Sequence, residues 1–336
     1  MPTIDVISRI RPLCAAFLLG SAEPASAIVV EFNYDYDSSG FFAPGSAARA
    51  ALEAAGAFYA SVLSDSLLPI ASDGDDNYKA FFSNPSVFAN ATTLAVESIE
   101  NFHLAADTVL IMAGAVNLDP IDNNVLAVAG AGSQIVSGST GYTNAAVSRG
   151  QGANGVVADI QGPTANDFAL WGGFLSFDLD RDWHFGIDSP PPGGRPDFLS
   201  VALHELGHVF GIGTAWSWFN QTSGAGFVGE NAQLEHGGPV PLQNGDAHWA
   251  GGVTSTVADV ALSYILNPGA EQEAALDPTL TFGKRKLITD LDLAALADIG
   301  WEVTTVPLPA GAWLLLSGLV AVGIGRRPRT SASNVD

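Results

Sequence analysis

The chain has 336 residues, 47% of them apolar and only 14% charged, and its 35 Asp and Glu outweigh 13 Lys and Arg for a net charge of −22. That apolar share can build a packed core, and so acidic a protein excludes nucleic acid as a partner, whose phosphates it would repel. With one cysteine, the chain can form no internal disulfide.

Taken in order, residues 1–27 read as a secretory leader. Arg9 and Arg11 precede the apolar run Leu13 to Leu19, and Ala25-Ser26-Ala27 supplies a cleavage site of the A-x-A kind. Cys14 lies inside this leader, so the exported chain would carry no thiol. Residues 28–305 read as one domain. Ile28 to Tyr36 alternates as a strand, and Ser46 to Leu68 carries apolar residues at the spacing of a long helix. Leu104 to Ala115 and Leu126 to Ala129 read as strands, with Gly130 to Gly132 as the turn after them. Phe168 to Phe177 reads as another strand, broken or bulged at Gly172-Gly173, and Gly186 to Pro196 as a loop. Asp73 to Asp76, Asp119, Asp122 and the alternating Asp178, Asp180 and Asp182 are acidic enough to invite calcium. None has the glycine at position six together with the glutamate at position twelve, so they read as solvated surface.

The stretch that carries chemistry is HELGHVFGIGT, residues 204–214. Asp197 is a good N-cap for a helix over Phe198 to Phe210. On that helix Leu199, Ala202, Leu203, Leu206 and Phe210 form one stripe, and Val201, His204, Glu205 and His208 another. Gly211 and Gly213 are natural stops. Histidines four apart lie one turn above each other and can converge on one tetrahedral metal. The glutamate between them can reach a water on that metal and act as a general base. Two histidines seldom hold zinc alone; catalytic sites use three protein ligands and an open position. The longer form of the motif wants a third histidine at 214, where Thr214 stands. The third ligand is then His248, His236, or one of the downstream carboxylates Glu230 and Glu235, as in gluzincin-type sites; otherwise the site is degenerate.

Phe227 to Ala232, Gly238 to Leu242 and Gly245 to Trp249 follow this helix, then Leu276-Asp277-Pro278, then Leu287 to Asp292 and Asp298 to Trp301. Together they resemble the leishmanolysin-like metalloproteases and their bacterial relatives, over Asp197 to Trp301. The resemblance implies an α+β, zincin/metzincin-like catalytic domain: a twisted mixed sheet with long helices, and a smaller C-terminal subdomain. It implies one catalytic zinc on His204, His208 and His248, with an insertion before the third ligand, and Glu205 as the base. Leu276 stands where the family places a methionine beneath the metal. The implied activity is a secreted zinc metalloendopeptidase acting on a protein or peptide. The strand Trp171 to Phe177 is expected to line its cleft and pair with extended substrate. The rival is a catalytically retired binding protein on the same scaffold, attached to the cell surface or matrix.

Residues 306–330 close the chain as an address. Val306-Pro307-Leu308-Pro309-Ala310, the uncharged run to Gly325 and Arg326-Arg327 resemble the VPLPA variant of PEP-CTERM sorting signals. The run is somewhat short of the ~20 residues that span a bilayer comfortably. The resemblance implies transient membrane anchoring, an exosortase-type processing enzyme, and delivery to the envelope, surface or extracellular matrix of a Gram-negative bacterium.

Overall fold

A computed structural model describes residues 28–151, 162–168, 171–258 and 269–304. The leader-like residues 1–27 and the address at 306–330 lie outside the described residues. Among the described residues, no helix is long and apolar enough to cross a membrane.

The N-terminal half alternates strands and helices. Strand β1 (Val29–Asn33) leads to α1 (Ala47–Val62), which starts where the Ser46 side chain accepts from the Arg49 N–H. The helix stops short of the Leu68 expected from periodicity. Leu63 turns extended and bridges Val303, and Ser64 N–H donates to Glu302 O at 2.9 Å, so a tertiary pairing ends the helix. Then come β2 (Asn77–Phe88), β3 (Leu94–Ile99), β4 (Thr108–Val116), β5 (Ala127–Ala131), β6 (Ser133–Ser137), α2 (Thr140–Ser148) and β7 (Gly172–Asp178). The active-helix candidate is α3 (Phe198–Val209), capped by Asp197 as expected, with its side chain accepting from Ser200 N–H.

Strands β1, β4 and β7 run parallel, and β5 joins β7 antiparallel, giving a mixed sheet in the order β1-β4-β7-β5. A second, antiparallel sheet, β3-β2-β6, covers one face of the first. Strand β4 shows why its sequence is a continuous apolar run. Val109, Ile111, Ala113 and Ala115 face the cluster that includes α1 and α3, while Leu110 and Met112 face Tyr78, Ala80, Phe82 and Trp171 beneath the second sheet. A strand buried on both faces has no reason to alternate.

Three expectations need correction here. Gly172 and Gly173 do not bulge the strand; β7 starts at them and keeps unbroken register with its neighbours. A Cβ at Gly172, where φ is +148°, would lie 1.7 Å from Leu110 O, and one at Gly173 would lie 2.1 Å from Gly130 O. Glycine lets three backbones approach. Gly130 accordingly belongs to β5 and not to a turn. Nor can β7 pair with an extended substrate, because β4 and β5 occupy both its edges and Trp171 is buried. Among the described residues, the free edge on this side of the sheet belongs to β5, the strand on which α3 packs.

After α3 the chain builds a smaller C-terminal part: α4 (Trp216–Phe219), the hairpin β8 (Thr222–Ser223) and β9 (Gly226–Phe227), α5 (Glu230–His236), β10 (Thr254–Thr256) paired with β11 (Glu271–Glu273), and α6 (Asp290–Asp298). Helix α5 begins at Gly229, which has no side chain to cap it. The Asp298 carboxylate at the end of α6 accepts from Asn231 N–H and Ala232 N–H instead. The mixed sheet and six helices of the described residues make an α+β architecture.

The acidic run at 178–182 is built around an arginine. Arg181 pairs with Asp178 at 2.5 Å and with Asp119 at 3.4 Å, and donates to Asn123 O at 2.5 Å. Of the other two carboxylates of the run, Asp180 accepts from Asn117 Nδ2 and Asp182 pairs with Arg195 at 2.7 Å.

Candidate metal centre

Helix α3 turns its chemical stripe inward, with His204 half-buried. Glu205 and His208 are each 7% exposed, and Leu199, Ala202, Leu203 and Leu206 are fully buried on the opposite stripe. The helix is held from below by Tyr59 of α1, whose hydroxyl donates to Leu203 O at 2.8 Å. Gly207, between the two histidines, is a close-approach position. A Cβ there would come within 3.1 Å of both Leu276 methyl groups and 3.2 Å of the Tyr59 hydroxyl. Leu276 therefore presses directly under the motif as an apolar floor.

The third histidine arrives from the C-terminal part. His208 Nε2 lies 3.2 Å from His204 Nε2 and 3.0 Å from His248 Nε2. Among the described residues these three are the only group of histidine, cysteine or carboxylate side chains gathered closely enough to hold a metal. Glu230 and Glu235 are not in it. Glu235 accepts from Ser255 Oγ at 3.0 Å, and Glu230 sits at the exposed start of α5. His236 contacts Gly238 O on that same helix end.

The delivery of His248 depends on the turn after α3. Gly213 has φ +71°, and a Cβ there would meet Ala247 O at 2.1 Å, so the backbone before His248 lies flat against this glycine. Thr214, in the place of the missing histidine, donates its hydroxyl to His208 O at 2.6 Å and closes the helix end. Gln243 N–H donates to His248 O, and Trp249 N–H to Leu276 O at 3.1 Å, tying the His248 segment to the floor.

Asp292 is a site residue that reading along the motif missed. Its carboxylate accepts from Trp249 Nε1 at 2.9 Å, Ala275 N–H at 2.8 Å, Leu276 N–H at 3.2 Å, and the Thr289 N–H and hydroxyl. One buried carboxylate thereby joins the neighbour of His248, the floor, and the start of α6. The sequence did hold a signal: Thr289 and Asp292 stand at capping-box spacing, and the box is formed.

The ring nitrogens are arranged for a cation. His204 Nδ1 lies 2.7 Å from Ala275 O, and His208 Nδ1 lies 2.8 Å from Ile212 O. A carbonyl accepts only, so each Nδ1 carries the proton and each Nε2 turns a lone pair inward. Lone pairs at such distances repel unless something positive sits between them. Zn–N bonds of ~2.0–2.1 Å in a tetrahedron give N···N edges of about 3.3 Å, close to the separations observed. These three residues could hold a metal ion, and the spacing of their Nε2 atoms suits one of zinc's size.

Burial also sets the protonation of the group. It pushes His204 well below its usual range, lowers His208, and brings His248 down to about 4, with the neighbouring histidines adding to the effect on His204 and His248. Neutral imidazoles are the metal-binding form. Burial alone raises Glu205 to about 8. Asp277, against burial, is held below the usual carboxylate range by Thr279 and the Lys286 ammonium. In comparisons with protein-family models, with curated proteins and with solved structures, nothing matches this chain.

Proposed function

We propose that this protein is a zinc metalloendopeptidase with a metzincin-like catalytic domain. The observation that carries the reading is the convergence of three imidazole Nε2 atoms, two of them on rings whose Nδ1 faces a carbonyl, at the end of an HExxH helix. A zinc ion held there by His204, His208 and His248 would lower the pKa of a water in its open position and polarise a carbonyl.

The chain's own residues would do the rest. Glu205 takes a proton from the attacking water and returns it to the leaving amine. Its buried setting, which raises its pKa when no cation is near, gives the proton somewhere to rest between the two steps. Leu276 fills the floor that the family gives to methionine, at similar volume. The free edge of β5, not β7, is the strand available to hold an extended substrate. The leader-like and VPLPA-like stretches support an exported setting with transient anchoring and exosortase-type processing.

The test uses the full chain. We expect about one zinc per chain after dialysis, and a large loss of it in His248→Ala. Glu205→Gln should keep the zinc and lose about 10²–10⁴-fold in hydrolysis of an unfolded polypeptide substrate. A parent that binds no zinc would overturn the reading. Zinc without hydrolysis in the parent would mark a binding protein on a peptidase scaffold.

A further inference from the structure

Two of the three histidines have a visible partner on the far ring nitrogen: Ala275 O for His204 and Ile212 O for His208. His248 has no backbone carbonyl in that role. Near it lies a carboxylate with one oxygen left unpartnered. Asp277 is buried, with a side chain 0% exposed, and its two oxygens are unequal. Oδ1 accepts from Thr279 N–H at 2.8 Å, Thr279 Oγ1 at 2.6 Å and Lys286 Nζ at 3.2 Å. Oδ2 has no hydrogen-bond partner. A buried carboxylate oxygen without a donor is costly, so its orientation calls for a reason.

That orientation is fixed from both sides. The three donors on Oδ1 hold the carboxylate plane. Lys286 Nζ is itself anchored by Thr279 O at 2.6 Å and Glu273 at 3.3 Å. Oδ2 is left facing the loop that carries His248: a Cβ at Gly251 would find Asp277 Oδ2 at 3.7 Å as its nearest neighbour. The Trp249 N–H to Leu276 O bond joins the residue after His248 to the residue before Asp277. The Asp277 charge also acts on the His248 ring.

We propose that Asp277 is a positioning residue for the third metal ligand: its Oδ2 takes the Nδ1–H of His248 across one water. This rests on the metal centre proposed above. It would give the three ligands two kinds of outer partner, carbonyls for the helix histidines and a carboxylate for the delivered one. A carboxylate partner makes an imidazole more basic and fixes its tautomer, and outer partners of this kind are worth about 10–100-fold in metal affinity.

The test reads zinc and cobalt affinity of the full chain by chelator competition. In Asp277→Asn, the side-chain oxygen stays with Thr279 and Lys286, and an N–H then faces the bridging water. We expect a 10–100-fold weaker affinity, with a changed visible spectrum of the cobalt form. Thr279→Val, which removes one bond to Oδ1, should leave affinity within about threefold if the role is toward His248. In a His248→Ala background, Asp277→Asn should change affinity no further. An unchanged affinity in Asp277→Asn, or an equal loss in Thr279→Val, would overturn the assignment to His248. A parent that binds no metal would instead sink the metal centre itself. Nitrogen-15 histidine spectra of the unmutated zinc form give a reading independent of any variant's folding. The His248 Nδ1 proton should lie downfield of those of His204 and His208. A freely exchanging proton at a solvent-like shift would overturn the proposal.

Discussion

Gly213 shows how much one residue can decide. Its place after α3 suits a helix stop, yet its φ of +71° and the approach of Ala247 O make it the surface against which the His248 loop is laid. Alanine there would be strained by its backbone alone, and its methyl would strike backbone, which cannot swing aside. We expect Gly213→Ala to keep α3 and the fold but weaken zinc binding roughly tenfold or more, as loss of a ligand's support does. Chelator competition alongside circular dichroism checks both halves, and parent-like affinity would show that the loop finds another seat. Thr214 carries the complementary lesson. It is not a ligand, but its hydroxyl caps the His208 carbonyl, so its presence where a histidine was sought has a local physical use.

At the scale of elements, helix α3 is anchored by a buried ion pair. Asp197 caps α3 and also receives Arg285 through both oxygens at 2.9 Å, with side chains 0% and 1% exposed. Arg285 also donates to Ile187 O and Gly186 O, so it holds the 186–196 loop as well. Breaking a buried pair by removing one partner costs about 3–5 kcal/mol, because a lone charge stays behind. Arg285→Met should therefore lower unfolding free energy by about that amount, and adding Asp197→Asn should recover part of it while keeping an N-cap. Urea titration of the two variants measures this; a double variant no better than the single would place the loss in the loop contacts. The elements legible from sequence were those with a local cause: the capped helix α3, the periodic α1, and the strands β1, β4, β5 and β7. The second sheet was not read, because β2 is a strand only against β3 and β6. Strand β3 follows closely but β6 lies far along the chain, and Pro85 and the polar residues of β2 hide the pattern.

For the whole molecule, acidity is the dominant bulk property, with a net charge of −22, and one buried carboxylate turns it into a pH dependence. Asp65 is 1% exposed, with Oδ1 unpartnered and Oδ2 accepting from Glu302 N–H. Burial raises its pKa to about 7, with Glu302 and Asp167 adding to it. The unfolded chain loses this proton near its ordinary 3.8. The fold therefore carries a penalty that grows as pH rises from about 4 to 7 and is complete above 7. Asp65→Asn should stabilise by about 1–3 kcal/mol at pH 8, and less at pH 5. Denaturation at both values checks this, and an equal gain at each would point to packing instead of charge. Metal removal should act at the same scale: a chelator should lower the melting temperature of the full chain, and added zinc should restore it, since a ligand bound only by the folded state stabilises it. The sequence alone determined the acidic character, the capped HExxH helix, and the short set of residues from which a third ligand could come. All of these follow from composition or from spacing along one chain segment. Tertiary structure alone gathered His248, and not His236, Glu230 or Glu235, with His204 and His208. It also decided that β5 and not β7 offers the open edge, and that Asp292 joins the site. Each of these depends on which distant backbones close together, and that closure rests on glycines and buried hydrogen bonds whose partners no local pattern names.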